Sequence, residues 1–128
     1  RNNLSGRGIP LRADALEPPS GVGEFQCIVC NPPYIPTGEI DTLDGSVRDY
    51  EPHMALDGGT DGYRFYRAIT EKWRQVLAPG GRLYYEVGIG QADEVLRMMR
   101  KAGFGDLQIV RDTGGISRVV YGTLCTEV

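Results

Sequence analysis

The sequence predicts an α/β layer fold with a mainly parallel sheet that closes on an antiparallel hairpin, and three observations carry that prediction. Apolar runs at 25–30 and 82–87 alternate with stretches at about 62–77 and 91–102 whose apolar residues recur every three or four positions, the signature of strands interleaved with amphipathic helices. Near the C-terminus two short apolar runs, 107–111 and 119–125, flank Asp112-Thr113-Gly114-Gly115, which reads as the turn of a hairpin. The 128 residues, 41% hydrophobic and 24% charged, suffice for one domain with its own core.

Taken in order, Arg1 to Gly8 is a polar loop, and Ile9 to Leu16 reads as a short strand with Asp14 near its C-terminal end. Ligands of open α/β sheets collect at that end of strands, although Asp14 alone fits a turn cap equally well. Pro18, Pro19, Gly21 and Gly23 make 17–24 a connecting loop. Phe25-Gln26-Cys27-Ile28-Val29-Cys30 is expected to be a buried, central strand. From Ile35 to Asp61 no period is evident, and a long connection inside a compact domain is usually functional, so this segment is read as facing substrate. His53, the single histidine, lies within it and is read as a surface or packing residue, not a base.

Thr60 or Asp61 is expected to cap the helix at about 62–77, which carries Tyr66, Ile69, Trp73, Val76 and Leu77 on one side, with Trp73 in the core. Ala78-Pro79-Gly80-Gly81 stops it. The run 82–87 is apolar or aromatic at alternate positions on both sides, which predicts a sheet covered on both faces. Glu86 at its end either supports a site or is a surface carboxylate. The helix at about 91–102 turns Ala92, Val95, Leu96 and Met99 inward and stops at Gly103.

A net charge of −3 gives no broad footprint for a polyphosphate, which argues against a direct nucleic-acid substrate. No run reaches the length of a membrane span and no charged-then-apolar leader is seen, so a cytoplasmic protein is expected. Three cysteines, an odd number, fit a reducing compartment. Cys27 and Cys30 have the two-residue spacing of zinc sites, but on a strand such positions face opposite sides. They are therefore expected to be buried core cysteines, with neither a metal nor a disulfide.

The chemistry concentrates in Asn31-Pro32-Pro33-Tyr34, directly after the 25–30 strand. Neither proline donates to a sheet ladder, and a residue before proline is held extended, so the chain leaves the sheet in a fixed shape. What remains for recognition is the Asn31 side chain, a carbonyl beside it and the flat ring of Tyr34. A planar NH2 group has two donors that those oxygens meet. Held out of conjugation, its lone pair localises and turns toward an electrophile, and no base has to act first. A surface turn with no catalytic role is the alternative.

Asn-Pro-Pro-Tyr after an apolar strand resembles the signature of S-adenosylmethionine-dependent amino methyltransferases. The resemblance extends to Asn31-Pro32-Pro33-Tyr34-Ile35-Pro36, Val47-Arg48-Asp49-Tyr50-Glu51-Pro52, Ala55-Leu56-Asp57-Gly58-Gly59-Thr60-Asp61-Gly62 and Leu83-Tyr84-Tyr85-Glu86-Val87-Gly88, which together are similar to HemK-type protein-(glutamine-N(5)) methyltransferases of peptide chain release factors. It implies the C-terminal half of a Rossmann-like methyltransferase sheet with its last strand antiparallel. It further implies S-adenosylmethionine as cofactor and the glutamine of a Gly-Gly-Gln motif in a release factor as acceptor. Asn31 and the Pro32 carbonyl would then hold the amide, with Pro33 and Tyr34 packed on it and Asn31 also close to the cofactor. Asp14 and Ala15 match the segment bordering the adenine, and Glu51 matches a residue shaping the clamp loop.

The sequence departs from that family in having no Gly-rich turn after a first strand and no acidic residue after a second. Gly58-Gly59, Gly80-Gly81 and Gly114-Gly115 cannot replace that turn, because none follows a strand and opens a helix. The family's helical N-terminal domain is missing as well. The expectation is a partial catalytic domain over 1–128 that carries the substrate clamp and binds S-adenosylmethionine weakly or not at all alone, measurable by calorimetry. A nucleic-acid amino methyltransferase and a non-catalytic interaction module are the alternatives.

Overall fold

The structure, a computed structural model, describes residues 8–9, 11–42 and 53–125. Four strands form one sheet: β1 (Phe25–Cys30), β2 (Leu77–Glu86), β3 (Phe104–Arg111) and β4 (Ser117–Leu124), in the order β1-β2-β4-β3. β1 and β2 are parallel, and β4 runs antiparallel to both its neighbours. The helices are the single turn α1 (His53–Leu56), α2 (Arg64–Lys72) and α3 (Ala92–Lys101). Two 3₁₀ turns, Thr37–Thr42 and Trp73–Val76, complete the order.

The expected α/β class and the antiparallel final strand are both present. Tyr66 and Ile69 of α2 and Val95 and Met99 of α3 bury against Leu83 and Tyr85 of β2, Phe104 of β3 and Val120 of β4. Burial of these side chains supplies the main driving force, about 1.5–3 kcal/mol for each large apolar one. Two tyrosines reach the core with their hydroxyls satisfied: Tyr85 Oη pairs with Thr70 Oγ1 at 2.7 Å, and Tyr66 Oη donates to the Glu86 carbonyl at 2.9 Å. Their rings meet edge to face at 5.1 Å.

Several expectations change. β1 keeps its bounds but lies at the sheet edge, with Val29 77% exposed, because β2 is its one partner among the described residues. Among the described residues the sheet is also covered on one face only. Leu83, Tyr85 and Val87 are buried, whereas Arg82, Tyr84 and Glu86 point to the other face, where Tyr84 stacks on Tyr121 at 4.8 Å. Ala78 to Gly81 does not precede the strand but bulges within it: Phe25 pairs with Leu77 and Cys27 already with Arg82, and Gly80 takes the positive φ of 77° that the excursion needs.

Residues 9–16 form no strand among those described. A strand exists only as a rung of a ladder, and Leu11–Leu16 have no such partner; Asp14 instead closes a turn, its Oδ1 accepting the Leu16 N–H at 2.9 Å and its carbonyl the Glu17 N–H at 3.1 Å. Helix α2 begins two residues later than the start at 62, after Asp61 Oδ1 takes the Tyr63 N–H at 2.9 Å. Trp73 packs partly buried against the core, as expected, and its indole N–H also holds the Ala15 carbonyl at 2.7 Å. Helix α3 and the hairpin lie within a few residues of their predicted bounds, with Asp112 Oδ1 accepting the Gly114 and Ile116 N–H groups across the turn.

Cys27 is exposed and not in the core, since it shares the uncovered face with Arg82, while Cys30 is partly buried beside Tyr85. Burial pushes the Cys30 thiol up to about 11. Only about one in a thousand such thiols is ionised at pH 8, and the thiolate is the reactive form. Iodoacetamide at that pH is expected to alkylate Cys27 well before Cys30, read by peptide mass mapping. Equal rates would contradict the burial.

Candidate functional site

The tetrapeptide leaves the C-terminal end of β1 with all its peptide bonds trans. Asn31 is exposed, Pro32 is buried, and Pro33 and Tyr34 are half-buried. Asn31 is therefore turned out of the protein interior, and a pocket of about 380 Å³ opens beside Tyr34, lined by Asn31, Pro32, Pro33, Ala55, Leu56 and Glu86 among others. Glu86 thus borders the site, and its backbone carbonyl is held by Tyr66.

A second cleft, of about 880 Å³, lies behind the same proline. It is lined by Arg12 to Leu16, Pro33, Asp57, Arg64 and Phe65. Pro33 belongs to both. Asp14 and Ala15, matched in sequence to an adenine border, accordingly sit across the cleft from the clamp, on a turn tied down by Trp73 and by the Lys72–Glu17 ion pair at 3.0 Å. Asp14 and Asp57 bring carboxylates, which are hydrogen-bond acceptors, to a cleft whose apolar walls come from Ala15, Leu16 and Phe65, a lining compatible with a flat ring that bears an exocyclic amine.

The segment after the tetrapeptide is less irregular than its sequence suggests. Ile35 bridges in parallel to Asp57, with the Ile35 N–H on the Leu56 carbonyl at 3.2 Å and the Gly58 N–H on the Ile35 carbonyl at 2.8 Å. Thr37 adds its hydroxyl to Asp57 Oδ1 at 2.6 Å and its N–H to the Gly59 carbonyl at 2.9 Å. The return strand of this loop is thereby clipped to the clamp. Glu51 and the rest of 47–52 lie outside the described residues, as does the side chain of His53.

Three glycines make room for Tyr34. A Cβ on Gly58 would stand 2.8 Å from the Tyr34 backbone carbon, one on Gly62 2.6 Å from the Tyr34 carbonyl oxygen, and one on Gly88 2.6 Å from ring carbon Cδ1. Gln91 completes the enclosure: its Nε2 donates to the Tyr34 carbonyl at 2.9 Å and its Oε1 accepts the Gly88 N–H at 3.0 Å. Sequence reasoning placed Gly58, Gly62 and Gly88 inside motifs without a role and read Gln91 only as a helix start. One signal was available, since Gln is a poor N-cap and Gln91 makes no capping bond.

The fold is consistent with the C-terminal half of a Rossmann-like methyltransferase sheet, with the Asn31–Tyr34 tetrapeptide at the end of its first strand here. No protein-family model matches the chain. Curated relatives do. The release factor glutamine methyltransferase of Geobacter sulfurreducens is 47% identical over 119 residues, which is 93% of this chain and 42% of that protein, and that of Caulobacter vibrioides is 44% identical over 126 residues, 95% and 44% respectively. A solved release-factor-specific protein-(glutamine-N5) methyltransferase from Alicyclobacillus acidocaldarius superposes with a TM-score of 0.51 at 34% identity, covering 80% of this chain and 50% of that one. The Mtq2–Trm112 complex of E. cuniculi, described as responsible for methylation of the eRF1 termination factor, matches with a TM-score of 0.56 over 94% of this chain and 63% of that one; at 24% identity it speaks to the fold alone. Over nearly its whole length the chain is thus similar to release factor glutamine methyltransferases, and it spans less than half the length of these curated relatives.

Proposed function

We propose that this chain carries the acceptor-holding half of an S-adenosylmethionine-dependent enzyme that methylates the side-chain amide nitrogen of the Gly-Gly-Gln glutamine in a peptide chain release factor, a cytoplasmic substrate. One observation carries the proposal: Pro33 is a wall shared by a pocket of about 380 Å³ beside Tyr34, roomy enough for a side chain to enter, and a larger cleft of about 880 Å³. S-adenosylmethionine, when bound, supplies an electrophilic methyl on a sulfonium. Asp14 and Ala15 border its adenine, and Asn31 stands near its reacting end; a Gly-rich turn in the remainder of a full-length family member holds the rest.

The residues of this chain act on the acceptor. The Asn31 side-chain oxygen and the Pro32 carbonyl accept the two amide N–H bonds, and Pro33 and Tyr34 pack on the carboxamide faces. Both acceptors sit on a segment stiffened by consecutive prolines, so little reorganisation is left for the transition state. The nitrogen lone pair is thereby localised and aimed, and its surplus proton leaves to solvent after attack. No general base is required in this scheme; Glu86, the acidic residue that lines the pocket among the described residues, is exposed.

The test uses a protein of the relatives' full length containing this stretch, with a labelled methyl donor and three acceptors: a purified release factor, the same factor with the Gly-Gly-Gln glutamine replaced, and DNA or RNA. Label on the first alone is expected. Label on nucleic acid, or on the substituted factor, would overturn the proposal, and no transfer to any acceptor would favour an interaction module.

A further inference from the structure

We propose that Gln91 is a positioning residue for the reaction, a latch that sets where the clamp stands and how many acceptors it offers; this rests on the function proposed above. Gln91 is 8% exposed, and both ends of its amide are committed to backbone groups. A backbone N–H only donates and a backbone carbonyl only accepts, so the Gly88 N–H and the Tyr34 carbonyl fix which way round the amide lies. The side chain joins the β2–α3 turn to a residue 57 positions away in sequence.

The surroundings crowd the amide at both ends. A Cβ on Gly88 would lie 2.7 Å from Gln91 Oε1 and one on Gly62 3.1 Å from Nε2, so backbone stands close on both sides. Gln91 occupies the N-cap position of α3 but makes no side-chain capping bond, and its amide is divided between the Gly88 N–H and the Tyr34 carbonyl.

The latch has a consequence for recognition. Of the carbonyl oxygens next to the tetrapeptide's aromatic ring, that of Tyr34 is already engaged by Gln91. The Asn31 side-chain oxygen and the Pro32 carbonyl, the acceptors proposed above for the two hydrogens of an NH2 group, are not bonded to Gln91. Releasing the Tyr34 carbonyl would add a competing acceptor and free the ring to shift, and a misplacement of about 1 Å costs on the order of 100-fold in rate.

Gln91→Glu keeps an acceptor for the Gly88 N–H but faces the Tyr34 carbonyl with a carboxylate oxygen; Gln91→Leu removes both bonds. In the full-length protein with a release factor as acceptor, both variants are expected to lose about 10- to 100-fold in kcat, with KM for the methyl donor within about twofold of wild type. Burial beside a carbonyl raises the pKa of a glutamic acid, and its protonated form donates. Gln91→Glu alone should therefore regain activity as pH falls from about 8 to 6, which a loss of packing would not produce. Hydrogen exchange at the Gly88 amide should quicken in Gln91→Leu. Wild-type kcat and an unaltered pH profile in Gln91→Glu, or unchanged Gly88 exchange in Gln91→Leu, would overturn the latch. If the wild-type protein transfers nothing to the release factor, the proposed function fails separately, and the exchange measurement still decides whether Gln91 holds the Gly88 N–H of the latch.

Discussion

Replacing Asn31 with Ala is expected to lower methyl transfer to the release factor by about 100- to 1,000-fold, the range for removing one preorganised hydrogen-bonding group at a reacting centre, or roughly 2.7–4 kcal/mol of transition-state stabilisation. Stability should hardly change, because the Asn31 side chain is exposed and makes none of the bonds that tie the loop together. The two readouts separate a chemical from a structural role: a large fall in kcat with an unchanged urea midpoint. A variant that retains most of its activity would show that the amide is held elsewhere.

Gly88→Ala is expected to damage both. An added Cβ would come within 2.6 and 2.8 Å of two Tyr34 ring carbons and 2.7 Å from Gln91 Oε1, so ring and latch must both move. Overpacking of this kind costs about 1–3 kcal/mol. Moving the aromatic plate should in addition reduce the rate by about 100-fold. The expected pattern is a lower urea midpoint together with a kcat loss that persists under conditions where the variant is fully folded. Wild-type behaviour would mean that the space beside Tyr34 is not used.

The parts of the fold legible in the sequence are those set by local signals. Helix α3 shows its own period and ends at Gly103, and Asp112 to Gly115 spells its turn, so their bounds follow from neighbouring residues. The depth of β1 does not, because exposure of Val29 depends on which strands flank it and not on the run 25–30 itself. Pro79 and the two glycines after it carry turn chemistry, yet the ladder resumes at Arg82 opposite Cys27, so a turn signal became a bulge. At the site, consecutive prolines after an asparagine announce a rigid recognition element from sequence. The partners that hold it do not: Trp73 reaches back to Ala15 and Gln91 to Tyr34, over separations of 58 and 57 residues that no local pattern encodes.

The proline common to both cavities has a thermodynamic corollary. A ligand that displaced Pro33 from one side would change the shape met from the other; two occupants would then be linked, and by reciprocity each would alter the other's affinity by the same factor. Binding order then becomes a matter of concentrations and not of a preset sequence of events.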